Sequence, residues 1–90
     1  MARIVKSGLI QICIPKSEGD GTIEEIKEAI LQKHIPFIED AGRQGVQILC
    51  LQEIFNTPYF CPGQDVKWYE SAETIPGPTI ERMQEYAKKY

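Results

Sequence analysis

The sequence has no apolar run long enough to cross a bilayer. Its start, Met1-Ala2-Arg3-Ile4-Val5-Lys6, is broken by charge where a secretion signal needs an unbroken apolar core. Cysteine is scarce and scattered: Cys13, Cys50 and Cys61 form an odd set with no Cys-x-x-Cys pair. Two of them fall in strand-like runs, where a reduced thiol behaves as a small hydrophobe, so neither a disulfide framework nor a metal site is expected and the chain reads as cytoplasmic. Basic residues are too few and too dispersed to make a patch. A net charge of -3 argues against nucleic acid or an anionic membrane surface as the partner. The glycine-rich stretch Lys16-Ser17-Glu18-Gly19-Asp20-Gly21 has neither the Gly-x-x-x-x-Gly-Lys-Ser/Thr nor the Gly-x-Gly-x-x-Gly spacing, so it reads as a flexible connection and no nucleotide cofactor is expected. Length is short too. Ninety residues make at most one small domain, burying about 60 to 65% of its unfolded surface, which is thin for an enzyme.

What is present centres on Val46-Gln47-Ile48-Leu49-Cys50-Leu51-Gln52-Glu53. Gly45 before it is a helix terminator, and the run reads as a buried strand of a parallel sheet. Ligand sites of open α/β sheets lie just outside the carboxyl ends of the strands, so Glu53 stands where chemistry is expected. The plainer alternative is an acid that simply faces water.

Upstream, the apolar, β-branched stretch from Gly8 to Ile14 predicts a first strand, closed by Pro15. Thr22 with Glu25 three residues on has the spacing of a capping box at a helix start. Ile23, Ile26, Ile30, Phe37, Ile38 and Ala41 then share one helical face and predict a single buried stripe. His34 lies on the same stripe and, lacking a second ligand at helical spacing, reads as a packed or rim histidine rather than a metal ligand. Pro36 falls on the outer face and predicts a kink or a break into two helices. Strand, helix and strand make a βαβ unit with neighbouring strands.

After Glu53 a connection runs to about Pro76 and holds Phe55, Tyr59, Phe60, Trp68 and Tyr69. Loops of that length are lids or packed binding loops, and its rings either wall a site or form a satellite core. Cys61 sits in this loop with no base beside it in sequence. Gly77-Pro78-Thr79 begins a second helix, whose apolar stripe is Ile80, Met83, Ala87 and Tyr90. No cap and no third strand follow, so the chain is expected to be the amino-terminal segment of a longer protein, with a sheet face and both sheet edges uncovered.

The block from Gly45 to Phe55, followed by Pro58-Tyr59-Phe60-Cys61, resembles the first conserved region of the nitrilase superfamily of carbon-nitrogen hydrolases. Gly8-Leu9-Ile10-Gln11 and Gly77-Pro78-Thr79 resemble that family's flanking elements in order and spacing, so the resemblance covers the whole chain. The wording Leu-Gln-Glu-Ile-Phe to Pro-Tyr-Phe-Cys is most similar to the N-carbamoyl amidohydrolase branch. The resemblance implies an α/β fold, with residues 1–90 forming the β-α-β-α amino-terminal part of a four-layer α-β-β-α sandwich. It also implies a Glu-Lys-Cys mechanism without metal or cofactor, acting on a small N-carbamoyl or amide substrate, in a complete protein that is a homo-oligomer.

Of that catalytic set only the glutamate is matched here. By position it is Glu53, whose implied role is general base toward the thiol and later toward water. Neither Cys50 nor Cys61 matches the nucleophile. Phe55, Tyr59 and Phe60, which leave the strand directly after Glu53, are candidates for the walls of the substrate pocket. The alternative from another class is a non-catalytic α/β domain in which Glu53 and the aromatic loop recognise a ligand.

Overall fold

The computed structural model describes residues 3–17 and 19–90, so Met1 and Ala2 at the charged start and Glu18 of the glycine-rich connection lie outside the described residues. Strand, helix, strand and helix follow in the expected order: β1 (Ser7–Ile10), α1 (Ile23–Arg43), β2 (Ile48–Leu51) and α2 (Pro78–Lys89), with a short 3-10 helix over Val66–Ser71 before α2. β1 and β2 pair in parallel, Ser7 opposite Ile48 and Ile10 opposite Leu51, which makes α1 the crossover of a βαβ unit.

Both ends of α1 are set by local chemistry. Thr22 Oγ1 accepts from the Glu25 amide at 3.2 Å, satisfying one of the free donors of the first turn. At the other end Gly45 takes φ +76, the Gly45 amide donates to the Gly42 carbonyl, and the Val46 amide reaches back to Ala41, both at 3.1 Å. That pattern is a Schellman ending, and it turns the chain directly into β2.

Two expectations for α1 are corrected, the break into two helices at Pro36 and the burial of Phe37. The helix is one continuous element through Pro36, because that residue is exposed and the carbonyl it leaves without a donor also lies on the wet face. The buried set is Ile26, Ile30, Leu31, His34 and Ile38, whereas Phe37 is 50% exposed. Periodicity correctly picks a face, but the neighbouring elements decide how much of it is covered. Here the cover is shifted toward Leu31, so Phe37 falls at the open margin.

The strands are shorter than their sequence runs. β1 ends at Ile10 rather than near Ile14 because β2 ends opposite it at Leu51, and side chains serve the polar groups beyond. Gln52 Oε1 accepts from the Ile12 amide at 2.7 Å, and Lys33 Nζ donates to the Cys13 carbonyl at 2.6 Å. At the opposite end Gln47 Oε1 accepts from the Lys6 amide at 3.0 Å. Alternation splits the sheet into two faces: Gly8, Ile10, Leu49 and Leu51 are half-buried, while Ser7, Leu9, Ile48 and Cys50 are exposed. Leu9 is 85% exposed, so one sheet face is uncovered, as expected.

The core gathers between α1 and the long connection. Ile26, Ile30 and Trp68 form it, with Ile14, Ile23 and Phe60 packed at its edge. Trp68 is only 2% exposed, and it is presented by the 3-10 helix, whose first amides are served by Asp65: its Oδ1 accepts from the Lys67 amide at 3.0 Å. The stripe on α2 is mostly uncovered: Ile80 and Met83 are half-buried and Ala87 and Tyr90 are exposed, while the helix's one buried residue is Thr79. The chain measures 52 × 25 × 22 Å, elongated for its length, in keeping with so small a core.

Candidate active site

Glu53 stands two residues beyond the carboxyl end of β2, exposed, with no hydrogen-bond or ion-pair partner among the described residues. The backbone around it is tightly specified. Gln52 gives its side-chain oxygen, not its main chain, to the Ile12 amide, so the chain leaves the sheet at this point while β1 stays satisfied. Ile54 then takes φ +51, a left-handed conformation that a β-branched residue adopts only against steric resistance. Strain of this kind persists where the surroundings over-determine it, and such places cluster at functional sites.

The surroundings here are identifiable. Phe55 meets His34 edge to face, ring centroids 5.8 Å apart at 81°, and His34 is 0% exposed. Asn56 Nδ2 approaches Thr79 Oγ1 at 3.4 Å, and Thr57 and Pro58 are buried. The turn that carries Glu53 is therefore braced by α1 on one side and by the start of α2 on the other.

The three pocket candidates part company. Phe55 lines an open cleft of about 580 Å³ between this turn and α2, together with Asn56, Ile75, Ile80 and Met83. Glu53, Tyr59 and Phe60 do not line it. Tyr59 points outward, 63% exposed, whereas Phe60 stacks on Trp68 at 5.7 Å and 12°, as part of the core margin. Phe60→Ala is therefore expected to lower stability by about 3 kcal/mol, near the low end for a truncated aromatic because the ring is only half-buried. Tyr59→Ala should leave stability nearly unchanged, and any effect should appear in substrate affinity. Denaturation and steady-state kinetics on both variants check this pair. The three cysteines are free and exposed, and no group of three or more His, Cys, Asp or Glu side chains could hold a metal among the described residues. Nor is any helix of the described residues long and apolar enough to cross a membrane.

A polar cluster that no sequence pattern announces closes the far wall of the cleft. Gly77 caps α2 but offers no side chain, and a Cβ there would sit 2.4 Å from the Thr74 carbonyl oxygen. Glu73 takes over: its carboxylate accepts from the Thr79 amide and hydroxyl, each at 2.7 Å, and pairs with Lys27 from α1, which also donates to the Ser71 carbonyl at 2.9 Å. Burial by itself would raise the Glu73 carboxyl, but the bonds from Lys27 and Thr79 outweigh it and hold the group down at about 2. Arg82 on α2 adds a two-pronged pair with Glu28 on α1, at 2.8 and 3.1 Å.

The depressed Glu73 carboxyl makes stability depend on pH. Its contribution is fully present above the unfolded value near 4.5 and is lost as pH falls toward 2. Urea denaturation should show wild type losing about 1 to 3 kcal/mol more than Glu73→Gln between neutrality and about pH 3. Equal losses in the two proteins would mean that the pair contributes nothing.

A parallel βαβ unit with an acid just past the end of its second strand, held on a strained and braced turn, places a carboxylate where ligand sites of open α/β sheets lie. The chain belongs to the carbon-nitrogen hydrolase family, whose profile matches residues 8–90. It is 38% identical over 90 residues to the β-ureidopropionase of Arabidopsis thaliana, covering 98% of this chain and 21% of that protein. It is 37% identical over 68 residues to the omega-amidase of Homo sapiens, covering 74% of this chain and 23% of the relative. It is 40% identical over 53 residues to the N-carbamoylputrescine amidase of Solanum lycopersicum, covering 58% and 18%. The chain thus spans about a fifth of the length of these relatives. No solved structure matches it. Its strand-helix-strand-helix order is consistent with the amino-terminal part of a nitrilase fold.

Gln52, Ile54 and Glu73 were not singled out from sequence. Glutamine beside a strand end and isoleucine in a turn carry no distinguishing pattern, and the Lys27–Glu73 pair joins residues 46 positions apart.

Proposed function

We propose that residues 1–90 are the amino-terminal segment of a single carbon-nitrogen hydrolase domain whose complete form cleaves a small N-carbamoyl compound in the manner of a β-ureidopropionase. Glu53 is the general base. A cysteine thiol supplied by the remainder of the domain gives its proton to Glu53 and attacks the carbamoyl carbon, ammonia leaves, and water activated by Glu53 releases carbon dioxide and the free amine. A lysine, also from the remainder, stabilises the tetrahedral oxyanion. The observation that carries this reading is the 38% identity with a β-ureidopropionase over 98% of the chain.

The complete protein is a homo-oligomer without metal or cofactor. The three free thiols of residues 1–90 fit a reducing cytoplasmic compartment. Ammonia release by the complete enzyme, measured on 3-ureidopropionate, N-carbamoylputrescine and the ω-amide of a dicarboxylic acid, tests the assignment. A preference for 3-ureidopropionate is expected. N-carbamoylputrescine as the best substrate would keep the carbamoyl chemistry and change the substrate, and a clear preference for the ω-amide would overturn the carbamoyl reading.

A further inference from the structure

Two side chains outside the family's catalytic set converge on the turn that carries Glu53. On the strand side Gln52 Oε1 holds the Ile12 amide at 2.7 Å, one step beyond the last β1–β2 pair, Ile10 and Leu51. A main-chain acceptor in that place would keep residue 52 in the ladder and carry the strand on. A side-chain acceptor lets the backbone leave, and the left-handed Ile54 completes the departure. On the helix side the Phe55 ring rests edge to face on His34, in the middle of α1.

His34 is an unusual support. Its Nδ1 proton goes to the Ile30 carbonyl at 2.9 Å, and Nε2 is buried without a partner among the described residues. A buried acceptor left unmade costs stability, so its nitrogen does not explain its place in the packing. The ring does, as the surface that Phe55 abuts.

We propose that Gln52 and His34 are positioning residues for Glu53, gripping the strained turn at Ile54 from its two sides so that the carboxylate is presented at one fixed place off the strand end. This rests on the reading of Glu53 as general base. The strained turn would relax toward an ordinary extended path if either grip were lost, and the carboxylate would move with it. Displacement of a catalytic group by about 1 Å costs up to a hundredfold in rate.

The test uses the complete enzyme with 3-ureidopropionate, following kcat, KM and Tm. Gln52→Met keeps the side chain's length but cannot accept the Ile12 amide, and His34→Leu removes the flat ring edge. Each should lower kcat by about tenfold or more, with KM changed less than about twofold, in protein that remains folded. His34→Phe retains the ring and removes the orphaned nitrogen, so it should keep wild-type kcat with an equal or higher Tm. A purely structural role would lower Tm in Gln52→Met and His34→Leu and leave kcat of the folded enzyme unchanged, which would overturn the proposal.

Should His34→Leu or Gln52→Met fail to fold, His34→Phe still decides: a large loss of kcat there would place the function in the nitrogen and overturn a ring-based support. Glu53→Gln, run alongside, separates the two levels. If it is inactive while Gln52→Met and His34→Leu are fully active, only the positioning proposal falls. If it is fully active, the base assignment falls and the positioning role with it.

Discussion

Glu53→Gln in the complete enzyme is expected to lower kcat by about a hundredfold or more, with substrate binding and fold retained. Glutamine matches the shape of glutamate and cannot take a proton. The structure makes the substitution a clean one, because the Glu53 carboxylate has no partner among the described residues for the change to disturb. The turn is held by its neighbours: Gln52 on Ile12, Phe55 on His34, and Asn56 near Thr79. Thermal stability should therefore be nearly unchanged, and the loss should fall on turnover rather than on KM. Equal turnover in mutant and wild type across the pH range would remove Glu53 from the mechanism.

Trp68→Ala is expected to give the largest loss of stability, about 3 to 5 kcal/mol, the usual cost of truncating a buried aromatic. Trp68 is the only tryptophan of the chain and the centre of a very small core, packed with Ile26 and Ile30 and stacked on Phe60. Removing it takes away the surface that joins the long connection to α1. Because the same change removes the tryptophan that reports on this core, urea denaturation should be followed by far-UV circular dichroism. A loss below about 1 kcal/mol would mean that the connection is held by its polar contacts, among them the Lys27–Glu73 pair, rather than by the ring. The effect on kcat of the folded enzyme should be small by comparison, since Trp68 belongs to the 3-10 helix and not to the turn that carries Glu53.

The expectations that held rest on short-range chemistry. Thr22 and Gly45 bound α1 because capping and the left-handed ending are decided within a few residues. Pro78 begins α2 for the same reason. The parallel pairing of the two strands follows from a helix-length connection between apolar runs. The place of Glu53 past a strand end was legible too, since it depends only on where the apolar run stops.

What failed or was missed needed knowledge of neighbours. The strands stop at Ile10 and Leu51 because each needs the other's main chain, and a strand propensity says nothing about where a partner ends. Phe37 is exposed although its helical phase is right, since exposure is settled by what lies opposite. Tyr59 and Phe60 are adjacent in sequence and look equivalent there. Only the fold turns one to solvent and the other onto Trp68.

By itself, then, the sequence determined the order of the strands and α-helices and the two ends of α1, because each is set by local backbone geometry and hydrophobic period. The tertiary structure alone decided that Gln52 replaces a ladder bond, that Ile54 is strained, that His34 is buried under Phe55, and that Glu73 caps α2 across a pair with Lys27. Those contacts join residues dozens of positions apart or depend on them, and their energies come from burial and low local dielectric, which exist only once the chain has closed around them.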